Sequence, residues 1–155
     1  LGITTIIVEQ NALAALELAD RAIIIDMGTA TTFTYVEKNR IKGVSITIGL
    51  DTSKDALVSR TSQLLQFEFE KPSHVLGTNT IEALNSGFLY GHAHQVIGFV
   101  EAIKKAYGND DVAVIVTGGA SELIKDLLPE DYIHDDLLIL RGLVAIYERN
   151  KQGAR

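Results

Sequence analysis

The sequence has no cysteine, no dense cluster of Lys or Arg, and no apolar run that approaches the length of a membrane span. The lack of cysteine excludes disulfides, zinc–thiolate sites and a thiol nucleophile, and it is compatible with the cytoplasmic location that we expect. The formal net charge is −6, so binding to nucleic acid or to an anionic membrane has no electrostatic support. We therefore predict neither a nucleic-acid partner nor a membrane partner.

The overall composition of the chain is typical of a folded protein. The hydrophobic fraction of 46% and the charged fraction of 22% argue against disorder, and 155 residues can bury one core of ordinary size. Periodicity and turn residues predict, in order, a helix over 6–18, strands over 22–25, 31–36 and 41–48, helices over 51–65 and 81–107, a strand over 112–116, a helix over 120–128, a mixed segment over 132–140 and a helix over 137–150. The first three strands form an antiparallel meander. The order of elements predicts an α/β fold with a mixed sheet and helices on its faces.

The segment AIIIDMGTATT, residues 22–32, contains the first candidate ligand-binding residues. A buried strand ends at Asp26, and Gly28 and four small residues follow. A carboxylate at this place can hold a cation, while threonine hydroxyls and turn amides can bind phosphate oxygens. The alternative is an ordinary hairpin corner, because Asp and Gly are favoured in turns.

A second corner of the same kind follows the second apolar strand. Thr117, Gly118 and Gly119 come directly after VAVIV. Ligands of open α/β sheets lie outside the carboxyl ends of the strands, so two such corners that face one crevice predict a nucleotide site. The glycine pair also offers a flat surface for a base.

Other polar residues give weaker signals. The four histidines form no metal-binding spacing, so we interpret them as surface or core residues. Gly87, Gly91 and Gly98 interrupt the long helix, and we expect them to let another backbone approach closely.

Several motifs together resemble type III pantothenate kinases, which belong to the acetate/sugar kinase–Hsp70–actin superfamily. The motifs are IIIDMGTATTF, GVSITIGLDTSKDAL, LGTNTIEALNSGFLYG, VIVTGG and LRGLVAIYERN. The resemblance implies ribonuclease-H-like (actin-like ATPase) domains, ATP bound between two of them, a homodimer, and phosphorylation of pantothenate to 4′-phosphopantothenate in coenzyme A biosynthesis. It also implies that residues 1–21 are the tail of an N-terminal domain, 22–150 a C-terminal ribonuclease-H-like domain, and 151–155 a polar tail.

The same resemblance implies roles for individual residues. Asp26 matches an aspartate that binds a monovalent cation, K⁺ or NH₄⁺, beside ATP and Mg²⁺. Thr29 matches an ATP-contacting threonine, with Gly28 and Thr31 in the same motif. Thr80 matches a threonine that contacts pantothenate. Gly118 and Gly119 match the glycine pair near the adenosine.

One part of the chain departs from the family pattern. The family has a substrate-binding Gly-x-Asp-Arg segment before the aspartate motif, and an ungapped alignment places it on Gly2, Ile3, Thr4 and Thr5, with Thr5 at the position of a substrate-binding arginine. Thr4 then occupies the position of the general base, and a threonine hydroxyl cannot accept a proton near neutral pH. The family's opening phosphate loop is also absent, so we assign no catalytic residue.

These departures leave three hypotheses open. The first is a type III pantothenate kinase, or a fragment of one. The second is a catalytically impaired relative that binds nucleotide or pantothenate, or that dimerises with a true kinase. The third is a binding module unrelated to coenzyme A, since superfamily folds host many functions.

Overall fold

The computed structural model describes residues 20–38, 40–61 and 66–153. Five strands form one mixed sheet: β1 (Arg21–Met27), β2 (Ala30–Glu37), β3 (Arg40–Ile48), β4 (Ala113–Thr117) and β5 (Ile133–His134). Three α-helices accompany the sheet in the described part of the chain: α1 (Leu50–Arg60), α2 (Thr80–Tyr107) and α3 (Leu138–Gly153). The strand order is β3-β2-β1-β4-β5.

Strands β1, β2 and β3 form the predicted antiparallel meander. Only Gly28 and Thr29 separate β1 from β2, and Met27 pairs with Thr31, so β1 passes directly into β2 through a tight turn. Strands β4 and β5 instead run parallel to β1, which makes the sheet mixed. The central strand β1 is buried on both faces over Ala22 to Ile25, as its continuous apolar run predicts.

Helix α2 covers one face of the sheet. Its core contacts include a stacked pair of rings, Phe33 on β2 and Phe99 on α2, with centroids 4.3 Å apart. Such pairs contribute about 1 kcal/mol beyond area burial. The side chain of Asn79 caps the helix by accepting from the amide of Glu82, and Gly108 ends it in the left-handed region at φ 61°.

Helix α3 packs against the opposite face. Leu138 belongs to the second core cluster with Ile24 of β1 and Ile115 of β4. Because alternate strand residues point to opposite faces, Ile23 and Ile25 belong instead to the cluster under α2. The predicted α/β sheet with helices on both faces is confirmed.

Several predicted elements are wrong in extent or type. The predicted helix over 120–128 is two short 3₁₀ turns, Ser121–Leu123 and Lys125–Leu127, which keep the buried Ile124 in the core. Helix α1 ends at Arg60 because Thr61 is extended, and residues 62–65 of the predicted helix lie outside the described residues. The mixed segment contains β5, which is too short to give a periodic signal.

The glycines of α2 do not have the predicted role within this chain. A Cβ built on Gly87, Gly91 or Gly98 meets no atom within 4 Å among the described residues. The three positions recur near helical spacing on the side of α2 that faces away from the sheet. The predicted helix over 6–18 lies outside the described residues.

None of the helices in the described segments has both the length and the apolar character needed to cross a bilayer.

A buried histidine on α2 gives a pH-dependence prediction. His92 is 8% exposed, and burial lowers the pKa of its imidazole, although the nearby backbone groups of Ile48 and Phe88 act in the opposite direction. The folded protein therefore takes up this proton only at a lower pH than the unfolded chain does. The stabilisation from neutral His92 is complete above the unfolded pKa of 6.5 and is lost as the pH falls below it.

We expect His92→Gln to flatten the acid limb of the stability profile. Urea unfolding between about pH 7 and about pH 5 should show a smaller loss of unfolding free energy for this variant than for the wild type. The control is His94→Gln, an exposed position on the same helix, which should keep the wild-type slope. Equal slopes for wild type and His92→Gln would contradict the assignment.

Candidate functional site

The two predicted corners lie side by side at one edge of the sheet. Strands β1 and β4 are parallel neighbours, and Asp26 pairs in register with Thr117. Their carboxyl ends therefore meet, and the amide of Ala120 donates a 3.1 Å hydrogen bond to the carbonyl of Met27. The sheet thus brings together two segments that are some ninety positions apart in the sequence.

Gly118 makes the closest contact between the corners. Its φ is +94°, and a Cβ built on it would lie 2.6 Å from the nitrogen of Met27 and 2.7 Å from Oδ1 of Asp26. Only glycine fits both the conformation and the space. The backbone of the second corner therefore packs directly against the Asp26 carboxylate.

The first turn of α1 forms a third wall. The amide of Gly49 and the hydroxyl of Thr52 both donate to the carbonyl of Thr29, at 3.1 Å and 2.9 Å. A Cβ on Gly49 would lie 2.2 Å from the carbonyl oxygen of Gly28, so a side chain at this position would push α1 away. These contacts fix the Gly28–Thr29 turn to the start of the helix.

The three walls enclose a cavity of about 440 Å³. This volume lies in the range of small-molecule sites. The lining residues are Met27, Gly28 and Thr29 from the first corner, Asp51, Thr52 and Asp55 from α1, and Gly119 and Ala120 from the second corner.

The walls carry negative rather than positive side chains. Asp51 and Asp55 are exposed at the cavity. Lys54 does not line the cavity, but its Nζ lies 3.7 Å from Oδ1 of Asp51 and offsets part of that charge, while it also lies 4.7 Å from the ring centroid of Phe69. An anionic group in this cavity would therefore depend on backbone amides and bound cations for its charge balance.

The oxygen atoms around Asp26 fit a hard cation. Asp26 is half-buried, and it shares one face of the sheet with Thr117 because the two are register partners. The hydroxyl of Thr117 is buried without a hydrogen-bond partner among the described residues. Carboxylate, hydroxyl and carbonyl oxygens are the ligands that such cations prefer.

Most of the predicted cofactor and metal residues lie at or directly behind the cavity wall. Gly28, Thr29 and Gly119 line the cavity, and Gly118 and Asp26 lie directly behind its wall. Thr31 is different. It pairs with Met27, it is fully buried, and its hydroxyl has no hydrogen-bond partner in the described part of the chain.

Among the predicted substrate residues, the structure describes only Thr80, which lies farther from the cavity. Thr80 is the exposed first residue of α2, whereas His92, about 18 Å along the helix, lies at the level of Ile48. The start of α2 therefore projects beyond the edge of the sheet where the cavity opens. Gly2, Ile3, Thr4 and Thr5 lie outside the described residues.

Sequence reasoning missed the wall that α1 contributes. The sequence predicts a helix over 51–65 but gives no ligand role to Asp51, Thr52 or Asp55. Their spacing places Asp51 and Asp55 one helical turn apart on the same side of α1, which is a usable signal. The contact between Thr52 and Thr29 has no signal in the local sequence.

The comparison with protein families decides the lineage. A family model described as type III pantothenate kinase matches residues 8–102, which is more than half of the chain. The chain belongs to the type III pantothenate kinase family. The matched range includes Asp26, Gly28, Thr29, Thr31 and Thr80, and it ends before Gly118 and Gly119.

Solved structures confirm the fold. A structure described as a conserved Baf family transcriptional activator from Campylobacter jejuni is 22% identical, with a TM-score of 0.60 over 92% of this chain and 65% of that chain. Component A of (R)-2-hydroxyglutaryl-CoA dehydratase from Acidaminococcus fermentans is 15% identical, with a TM-score of 0.52 over 88% of this chain and 64% of that one. The Alp12 filament structure is 16% identical, with a TM-score of 0.56 over 90% of this chain and 53% of that one.

These similarities establish the actin-like ATPase fold that the type III pantothenate kinase resemblance implies. At these identities they show the fold alone. The chain spans less than two thirds of each of the three matched proteins.

Proposed function

We propose that this chain supplies the nucleotide-binding half of a type III pantothenate kinase, which transfers a phosphoryl group from ATP to pantothenate in coenzyme A biosynthesis. The observation that supports the proposal is the contact between the two corners. Gly118 packs against Asp26 at the wall of a cavity that Gly28, Thr29 and Gly119 line.

The residues at the cavity suit the charged end of ATP. Phosphoryl transfer asks a protein mainly to position groups and to balance charge. In this proposal, the hydroxyl of Thr29 and the amides around Gly28 and Gly119 bind phosphate oxygens. The Asp26 carboxylate and the Thr117 hydroxyl hold K⁺ or NH₄⁺. Mg²⁺ neutralises the charge of the triphosphate, because the carboxylates of Asp51 and Asp55 at the cavity are themselves negative.

The proposed domain organisation follows from the same lineage. Residues 22–150 would be the C-terminal ribonuclease-H-like domain, residues 1–21 the end of a preceding domain, and 151–155 a tail. Pantothenate would then bind between the domains, near Thr80 and the segment Gly2–Thr5. The projection of α2 beyond the sheet is compatible with that arrangement. A cytoplasmic location stays a prediction.

A coupled assay on the complete protein tests the function. The reaction contains ATP, Mg²⁺, pantothenate and either K⁺ or NH₄⁺, with Na⁺ as the control cation. Turnover that depends on pantothenate and rises with K⁺ or NH₄⁺ is the expected result. ATP binding without turnover would contradict the kinase proposal.

The same assay also tests whether residue 4 is the position of the general base. Thr4→Asp restores the carboxylate that the ungapped alignment expects, and a general base typically contributes about 10²–10⁴-fold in rate. A gain in turnover supports the alignment, whereas an unchanged rate in an active enzyme shows that another group is the base.

A second candidate function is a non-catalytic relative that binds nucleotide or pantothenate. The observation in its favour is the pair of threonines, Thr4 and Thr5, at positions where the family has a base and a substrate-binding arginine. This candidate predicts ATP binding with no turnover in the wild type and in Thr4→Asp alike.

We also propose a homodimer in which two copies of α2 meet. Gly87, Gly91 and Gly98 recur along the outer side of α2 and are exposed. Glycines at this spacing allow two helix backbones to approach closely.

The variant Gly91→Gln tests the dimer. A side chain at Gly91 meets no atom in the described part of the chain, and replacement of a helix glycine stabilises the helix by up to about 1 kcal/mol. We expect sedimentation equilibrium to show a dimer for the wild type and a monomer for the variant, with an unfolding temperature that is equal or higher. A wild-type monomer, or a variant that stays dimeric, would contradict the proposal.

A further inference from the structure

A chain of hydrogen bonds connects strand β5 to the glycine corner. The hydroxyl of Ser121 donates to the carbonyl of Gly118 at 2.6 Å, and Nε2 of His134 lies 2.8 Å from the same hydroxyl oxygen. Ser121 is fully buried, while His134 is held on β5 by the pairing of its backbone with Val116. No motif predicts this connection, because Ser121 and His134 lie on different elements.

The direction of the hydrogen bonds follows from proton counting. A serine hydroxyl has one proton, and a backbone carbonyl can only accept. If Ser121 donates to Gly118, then Nε2 of His134 must carry the hydrogen that it shares with Ser121. Nearby carboxylates favour a hydrogen on Nε2 of His134. Oδ1 of Asp136 lies 3.6 Å from this nitrogen, and a carboxylate oxygen of Glu122 lies within 4.8 Å of both groups. Lys125 is paired with Glu122 and offsets part of that negative charge.

The Gly118 carbonyl determines how the corner faces the cavity. The peptide after Gly118 is planar and trans, so its carbonyl and the amide of Gly119 point in opposite directions. A carbonyl held on Ser121 therefore fixes the direction of the Gly119 amide, on a residue that lines the cavity. The amide of Ser121 also donates to this carbonyl, at 3.0 Å, but Gly119 itself has no side chain that could restrict the peptide.

We propose that His134 is a positioning residue of the nucleotide site, acting through Ser121 on the peptide between Gly118 and Gly119. The inference rests on the proposed function, because the nucleotide is what the positioned amide would bind. His134 does not touch the nucleotide in this account. It keeps one wall of the cavity in a single orientation before binding.

The test compares two substitutions of His134 in the complete protein. His134→Leu removes the donor, while His134→Gln keeps an N–H of similar reach. Loss of one hydrogen bond that preorganises a site corresponds to a weakening of up to about tenfold in affinity. We expect calorimetry with Mg²⁺ and ATP to show that weakening for His134→Leu, and an affinity within about threefold of the wild type for His134→Gln. Ser121→Ala provides a second variant that breaks the same chain.

Two further readouts separate positioning from a general structural effect. The KM for ATP should rise in His134→Leu while the KM for pantothenate and kcat change little. In hydrogen exchange, the amide of Ala120, which donates to Met27 across the two corners, should exchange faster in His134→Leu and at the wild-type rate in His134→Gln.

The outcomes are distinguishable. Equal ATP affinity in wild type and His134→Leu overturns the inference, and so does a His134→Gln variant as weak as His134→Leu. If the wild type binds no nucleotide, the proposed function fails. Hydrogen exchange of the Ala120 amide is then the remaining test of whether His134 positions the corner. Faster exchange in His134→Leu then supports the positioning of the corner, and unchanged exchange overturns it.

Discussion

Gly118→Ala is expected to destabilise the protein more than any other alanine substitution at a glycine of the two corners. The new Cβ would lie 2.6 Å from the Met27 nitrogen in a backbone conformation with φ +94°, where alanine is strained. Strain of this kind costs about 1–3 kcal/mol and overpacking a similar amount, so we expect a loss of about 3 kcal/mol or more in unfolding free energy. Urea unfolding measures it.

Gly119→Ala is the matched control for this prediction. A Cβ on Gly119 meets no atom within 4 Å in the described residues, although the two glycines are adjacent. We expect its unfolding free energy to change by less than about 1 kcal/mol. Similar losses in both variants would show that the corner is generally intolerant and that the close contact with Asp26 and Met27 is not the cause.

Asp26→Asn is expected to have the largest effect on ligand binding. The substitution removes one negative charge from directly behind the wall of the cavity and leaves the side-chain volume nearly unchanged. If Asp26 holds a monovalent cation beside the triphosphate, affinity for ATP with Mg²⁺ and K⁺ should fall about 10–100-fold, which is the range seen for residues that support bound metals. The stimulation of binding by K⁺ over Na⁺ should disappear as well.

The control for Asp26→Asn removes the same charge far from the cavity. Asp111 is an exposed carboxylate before β4, at the opposite end of that strand. Asp111→Asn should bind ATP as the wild type does. A common loss of affinity in both variants would point to net charge, and an unchanged affinity in Asp26→Asn would remove this carboxylate from the site.

The central part of the fold was predictable because local patterns there agree with the tertiary structure. The continuous apolar runs of β1 and β4 predict strands that are buried on both faces, and both are. The predicted bounds of α2, 81–107, agree with the observed Thr80–Tyr107 to within one residue. The sequence places Asp26 and the glycine pair after two buried strands, where ligands of open α/β sheets bind, and the parallel pairing of β1 and β4 brings these strand ends together.

The rest of the fold and of the site could not be predicted, because it depends on contacts between segments that are distant in the sequence. Gly49 looks like any glycine before a helix, and only the packing of α1 on the Gly28–Thr29 turn shows that a side chain cannot fit there. The 3₁₀ turns after Ala120 have a helical composition, but the buried Ser121 bonds back to Gly118 instead of continuing an α-helix. Strand β5 forms because the edge of β4 is available for pairing. Because β5 is only two residues long, its sequence has no alternating pattern that could predict it.

The most direct measurement is a crystal structure of the complete protein with Mg²⁺, K⁺ and a non-hydrolysable ATP analogue. Our account predicts the triphosphate in the cavity between Thr29 and Gly119, with a monovalent cation at coordination distance from an oxygen of Asp26. A nucleotide bound elsewhere, or an Asp26 side chain with no cation and no nucleotide beside it, would contradict the account.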